Sequence, residues 1–202
     1  MDTDTQTIRH LQQENIRLRS ENSSLKSYVE RLQRALRALV ALQHNLERIN
    51  SDTDVFQLVH QILQNALDAV DSDNGSLMLL DDETGDLVFV EVVGNARDKL
   101  LNFRLPKGQG IAHWVVTNRQ SRLVEDARRE PIFSPQVDKL TSMNTISLIC
   151  VPLLDGSRTL GTIEVVNTLS GRPFNESDKE IMELVGQLSA LAIVTAEKAQ
   201  NT

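Results

Sequence analysis

The 202 residues hold a single cysteine, Cys150, and aromatic side chains make up only 3% of the chain. One cysteine excludes an intrachain disulfide and any multi-cysteine metal site. It also fits a reducing compartment. No apolar run reaches the roughly 20 residues that a transmembrane helix needs, so no membrane partner is expected. The first residues, Met1-Asp2-Thr3-Asp4-Thr5, lack the basic and apolar regions of a secretion signal. A cytoplasmic location is therefore expected. His10, His44, His60 and His113 lack close ligand spacing, so no metal site is expected. No nucleophile–base motif and no phosphate loop occur, and Gly108-Gln109-Gly110 is too short to be read as one. The sequence thus points to no catalytic residue and to a protein that is not an enzyme. It names no cofactor.

Charge is unevenly placed. The net charge is −7. Residues 1–50 carry eight Lys and Arg against six Asp and Glu, and the remainder carries thirteen against twenty-two. An acidic C-terminal part discourages nucleic acid as a partner. A small anionic ligand in a local positive pocket stays compatible with it.

Glycine and proline are absent from residues 1–50, where leucine recurs every seventh residue six times: Leu11, Leu18, Leu25, Leu32, Leu39 and Leu46. With these at d, the a positions are Ile8, Asn15, Asn22, Val29, Leu36 and Gln43. Such a pattern predicts a coiled coil, a rod of roughly 60 Å at about 1.5 Å per residue. Leucine at d with β-branched or asparagine residues at a favours parallel dimers. Asn15 and Asn22 would face their symmetry mates and fix register. Glu14 would meet Arg19 of the other chain, and Glu21 would meet Lys26. From residue 35 the flanks turn apolar at Ala35, Val40 and Leu42, so other helices are expected to join there. Alternatives are a helix solvated on its own domain, a DNA-binding zipper and a phospho-accepting His44. A lone chain would have to cover the whole stripe. The second needs a basic segment, and only Arg9 and His10 precede Leu11. His44 lacks histidine-kinase surroundings, and no ATP-binding domain follows.

The expected division is a dimerisation helix at 1–50 and a globular domain at 51–202. Ser51 and Asp52 offer an N-cap for an amphipathic helix with Val55, Leu58, Val59, Ile62, Leu63, Ala66, Leu67 and Val70 on one face. Asn74-Gly75 reads as a turn. Strands are predicted at 76–80, 87–93, 100–105 and 122–124, with a short helix at 111–118. Residues 125–144 read as a loop holding a helical turn or more. Two strands, 145–154 and 159–168, flank Asp155-Gly156, a hairpin signal. Pro152 suggests an edge or a bulge. Asn175, with Asp178 three residues on, caps a long final helix. The order implies an α+β fold, an antiparallel sheet flanked by helices, preceded by the long N-terminal coil. The terminal helices should cover one sheet face, leaving a pocket on the other, under residues 125–144.

Four segments in this order resemble the GAF domain family: Leu105-Pro106-Lys107-Gly108-Gln109-Gly110-Ile111-Ala112; Val124-Glu125-Asp126-Ala127 with Glu130-Pro131-Ile132-Phe133; Ser147-Leu148-Ile149-Cys150-Val151-Pro152-Leu153; and Leu160-Gly161-Thr162-Ile163-Glu164-Val165-Val166-Asn167. The resemblance covers about 54–199. It implies a fold that binds cyclic nucleotides, haem, bilins or small metabolites, or nothing detectable. By family position, Asp126, Phe133, Asn144, Thr145 and Ser147 are the expected pocket-lining residues. Cyclic-nucleotide-binding members carry an Asn-Lys, a later Phe and an Asp-Glu pair. Asn167, Phe174 and Asp178 match, but Thr168 replaces the lysine and Lys179 the glutamate. A supporting ion pair cannot form at those positions. Cys150 lies in an apolar strand, against bilin attachment. His113 reads as a packing or surface histidine rather than a haem ligand. Members that reduce free methionine sulfoxide use several cysteines, and one does not suffice.

The resulting expectation is a dimeric, cytoplasmic signal-transduction module. A small-molecule ligand would bias helices at the dimer base, with a signalling protein as a further partner. The competing expectation is a ligand-free structural or adaptor protein. On the expectation that no output domain follows residue 202, the adaptor, or a partner that supplies the output, gains weight.

Overall fold

The structure, a computed structural model, describes residues 2–50 and 52–200. With nothing to break it, the first segment forms one uninterrupted helix, α1, Asp2–Glu47. Its apolar positions split between two stripes. Ile8, Leu11, Leu18, Leu25, Val29, Leu32 and Leu36 are all exposed. Ala35, Ala38 and Leu42 are buried against the domain that follows. Among the expected seam residues, Leu39 and Leu46 are half-buried on that same core, while Asn15 and Asn22 are exposed. Within one chain Glu14 and Glu21 flank Arg17.

Helix α2, Val55–Val70, buries the apolar face that its spacing predicts. The expected cap at Ser51 and Asp52 is displaced. Asp54 is the N-cap, its carboxylate accepting from the backbone N–H groups of Phe56 and Gln57. Ser51 lies outside the described residues. Strand β1 is Asn74–Leu80 and β2 is Leu87–Val93. Asn74 and Gly75 belong to the strand rather than to a turn. Glycine is needed at 75 because a Cβ there would sit 2.7 Å from the Glu164 carbonyl oxygen.

The strand expected at 100–105 is mostly helix and turn. Helix α3 spans Arg97–Leu100, and β3 keeps only Arg104–Leu105. Asn102 has a left-handed backbone, φ 65°, so the approach to β3 is irregular, although the Asn102 N–H still donates to the Phe89 carbonyl and the Phe103 carbonyl accepts from the Phe89 N–H. Helix α4, Gly110–Asn118, and strand β4, Arg122–Val124, follow as expected. The polar segment after them forms a 3-10 turn, Ala127–Arg129, and helix α5, Gln136–Thr141. Strands β5, Leu148–Asp155, and β6, Arg158–Val166, form the predicted hairpin. Its turn residues are Gly156 and Ser157. Helix α6, Glu176–Gln200, closes the chain. Asn175 and Asp178 cap it reciprocally, each side chain accepting from the other's backbone N–H.

The six strands form one antiparallel sheet in the order β3-β2-β1-β6-β5-β4. Strand β4 pairs only with Leu148, Ile149 and Cys150, so Pro152 lies beyond its end, where a missing N–H is harmless. Side chains alternate across the sheet. Leu77, Ile149, Val151, Ile163 and Val165 meet α1, α2 and α6 in one core. Met78, Phe89, Leu148, Cys150 and Val166 meet α4 and the α3 and α5 segments in a second. The architecture is α+β, with two small cores on opposite faces of a sheet.

Candidate functional site

On the second face the short helices do not fill the space above the sheet. A cavity of about 70 Å³ remains. Its floor includes Ser76 and Met78 of β1, Phe89 of β2, and Glu164 and Val166 of β6; its roof includes Ile111 of α4 and Phe133, Val137 and Asp138 at α5. The wall is chiefly apolar, which isolates its few polar groups.

Two carboxylates stand in this wall. Asp138 accepts from both the backbone N–H of Thr145, at 2.9 Å, and its hydroxyl, at 2.6 Å. Those bonds tie the end of α5 to the approach of β5. Glu164 is different. Strict alternation along β6 turns it toward the cavity, opposite Ser76 on β1 and Cys150 on β5. Among the described residues its carboxylate has no hydrogen-bond or ion-pair partner. Burial, and then the Asp138 charge, raise its pKa to about 7. Desolvation disfavours the charged form and a like charge adds to it. Burial, with Glu164 beside it, also pushes the Cys150 thiol well up, so Cys150 is an inert core group.

The residues expected to line the pocket separate into two sets. Phe133 and Thr145 line the cavity. Asp126, Asn144 and Ser147 are not among its lining residues. The Asp126 carboxylate caps the 3-10 turn through the Arg128 N–H. The Asn144 carbonyl accepts from the Asn167 amide, whose oxygen accepts from the N–H groups of Ile146 and Ser147. Ser147 is buried, donating to the Val124 carbonyl and accepting from the Phe174 N–H. These three hold loops to the sheet. Sequence reasoning missed Glu164 and Asp138 as site residues. The available signal was an acid inside the apolar run Ile163-Glu164-Val165-Val166.

The missing Asn-Lys partner has a substitute. Thr168 donates its hydroxyl to the Arg172 carbonyl at 2.6 Å. Arg172 then forms a two-pronged pair with Asp178, at 2.6 and 3.0 Å. A cation therefore reaches Asp178 from position 172, not 168. His113 is buried, its Nε2–H donating to the Leu105 carbonyl, which is a packing role. Among the described residues no cluster of metal-ligating side chains occurs, and no helix is long and apolar enough to cross a membrane.

Comparisons with known proteins agree with this architecture. A family model described as GAF domain matches residues 54–193, more than half of the chain. Curated relatives include a dual 3',5'-cyclic-AMP and -GMP phosphodiesterase 11A from Takifugu rubripes, 27% identical over 169 residues. Another is the dual phosphodiesterase 11 from Drosophila melanogaster, 25% identical over 163 residues. Both matches take in 74% of this chain but only 18% and 11% of the relatives, so the chain spans less than a fifth of their length. Among solved structures, the GAF domain of a phosphoenolpyruvate-protein phosphotransferase from Coxiella burnetii superposes with a TM-score of 0.71 at 18% identity, covering 84% of this chain and 98% of that one. The free methionine-R-sulfoxide reductase of Neisseria meningitidis, solved with its substrate, gives 0.62 at 18% identity, covering 82% and 93%. Identities this low show the fold alone.

Proposed function

The chain belongs to the GAF domain family, and on that premise we propose that it is a dimeric, cytoplasmic signalling module in which a small ligand in the Glu164 cavity biases the helices at the dimer base. Domains of this family are small-ligand-sensing regulatory modules. The carrying observation is the divided surface of α1. One stripe, Ala35, Ala38 and Leu42, is sealed into the domain core. A second, Leu25, Val29, Leu32 and Leu36, is exposed. At 3.6 residues per turn the two stripes lie about a third of a turn apart. One helix thus contacts the domain with one face and offers the other to a second copy. An unpaired apolar stripe of this length is unfavourable in water, and pairing in parallel through Ile8, Leu11, Asn15, Leu18, Asn22, Leu25, Val29, Leu32, Leu36, Leu39 and Leu46 covers it.

A signalling protein that receives the change completes the reading. Ligand-free adaptor work is the second reading, and the cavity's size favours it: about 70 Å³ is well below the roughly 300–1,000 Å³ of drug-sized sites. Native mass spectrometry of gently purified protein tests both at once. The sensing reading expects a dimer mass with a small molecule retained or readily added. A monomer at micromolar concentration sinks the dimer, and a dimer that takes up no small molecule favours the adaptor.

A further inference from the structure

We propose that the cavity takes a small ligand bearing a protonated amine, whose N–H groups meet the Glu164 carboxylate while a short apolar stem lies against Met78, Phe89 and Val166. This rests on reading the cavity as a sensing site and narrows that reading to a chemical class. The lining holds two carboxylates and no Lys, Arg or His. Asp138 is already satisfied by Thr145. Glu164 is not satisfied by any described residue. Glu164 is half-buried at the cavity wall; a partly desolvated carboxylate without protein donors is unfavourable, and a charged donor is the group that best offsets it. With its proton held up to about 7, Glu164 is poised to ionise when an ammonium arrives. Ser76, directly opposite on β1, offers a hydroxyl to the same group.

The same facts weigh against the anions to which the curated relatives' names point. A cyclic phosphate in this cavity would meet two carboxylates and no cationic side chain. Size agrees. At about 10–15 Å³ for each water-sized group, about 70 Å³ holds roughly five to seven such groups. A nucleotide is several times larger. An alkyl ammonium of four carbons fits.

The test titrates the full chain with n-butylammonium, n-butanol, n-butyrate and cyclic AMP, following methionine methyl signals labelled with carbon-13. Met78 and Met143 line the cavity, whereas Met182 lies in the helical core on the other face. The expected result is that n-butylammonium moves the Met78 and Met143 signals and leaves Met182 still. It should bind about tenfold tighter than n-butanol. In Glu164→Gln that preference should collapse to near unity, with the Met182 signal reporting an intact fold. Glu164→Asp, which keeps the charge one methylene farther back, should retain part of it. If n-butanol, n-butyrate or cyclic AMP moves the Met78 signal as readily as the amine does, the amine class is wrong while the sensing site stands. If none of the four moves it, both the class and the sensing reading fall. An unchanged preference in Glu164→Gln removes Glu164 as the recognising group.

Discussion

At the scale of single residues, Glu164 carries the clearest consequence. Its pKa in the folded chain is about 7 against 4.5 for the free side chain, raised by burial and then by Asp138. Asp138, from α5, is the one other ionisable carboxylate in the lining, and Cys150 on β5 stays a thiol. Between pH 4.5 and 7 the folded chain therefore binds more protons than the unfolded one. Stability from this group falls as pH rises through that window and is level on either side of it. A pKa unit is worth about 1.4 kcal/mol, so Glu164→Gln should stabilise by roughly 1–3 kcal/mol above pH 7 and change little near pH 4. Denaturant melts across pH 4–8 check this, and a variant less stable than its parent at pH 8 would contradict it. Asp178 gives the opposite case. Its carboxylate both caps α6 and pairs with Arg172. Asp178→Ala should cost roughly 2–4 kcal/mol, between the loss of a cap and the breaking of a buried pair. The capping pair was legible in the spacing of Asn175 and Asp178. The Arg172 pair was not, because it depends on Thr168 bending the segment back through a carbonyl that no pattern records. Likewise, Phe133 and Thr145 come to the cavity, while Ser147, three residues before Cys150, turns instead to the backbone of β4 and of Phe174. Family position finds a loop; which way each side chain turns is decided by hydrogen bonds across that loop.

At the scale of elements, periodicity carried most of the fold. Helices α2, α4 and α6 and strands β2, β4, β5 and β6 follow the apolar spacing closely. Errors fall where the chain bends. Between Gly94 and Leu105 the apolar residues Leu100, Leu101 and Phe103 suggest a strand. Yet Leu100 and Phe103 pack on the second core from a helix and a turn. Burial alone is shared by strand and helix; the chain turns helical at Arg97–Leu100 and then passes through the left-handed Asn102 to an irregular contact with Phe89 of β2. For α1 the heptad predicts a seam, and the exposed Leu18, Leu25 and Leu32 sit at its d positions. Changing these three together to Ala removes the seam's largest side chains without touching the sealed stripe. Alanine keeps helix propensity high, so the domain should keep its melting temperature at high dilution while light scattering reports monomers. A triple variant that stays dimeric would move the interface to other helices, where Phe56 on α2 and Leu184 and Leu191 on α6 are among the exposed apolar residues.

At the scale of the whole molecule, what matters is where the long helix α1 joins the domain. Ala38 and Leu42 share one core with Leu58, Ile62, Met182 and Val185, so the end of α1 is built into the domain. Arg34 of α1 is also ion-paired with Asp71, the residue that closes α2. Folding and the proposed pairing would therefore draw on successive parts of one helix, and truncation separates them. A chain starting at residue 31 keeps Arg34, Ala35, Ala38 and Leu42 but retains barely two heptads, fewer than the three to four that mark a coiled coil. It should be monomeric and unfold cooperatively near the melting temperature of the diluted full chain. A chain starting at residue 51 loses all of those contacts. One buried Leu replaced by Ala costs about 2–5 kcal/mol, and a whole domain has only about 5–15 kcal/mol in hand. That shorter chain should lose most of its stability and expose the face of α2 that α1 covers. Equal stability for the two truncations would mean that α1 merely rests on the domain. The difference bears directly on signalling. If the end of α1 is structural, any rearrangement between the two sheet faces that shifts α2 or α6 must also shift Ala38 and Leu42. The same rigid helix then carries that shift to Leu32 and Leu25 at the seam. A coil that merely rests on the domain would transmit nothing.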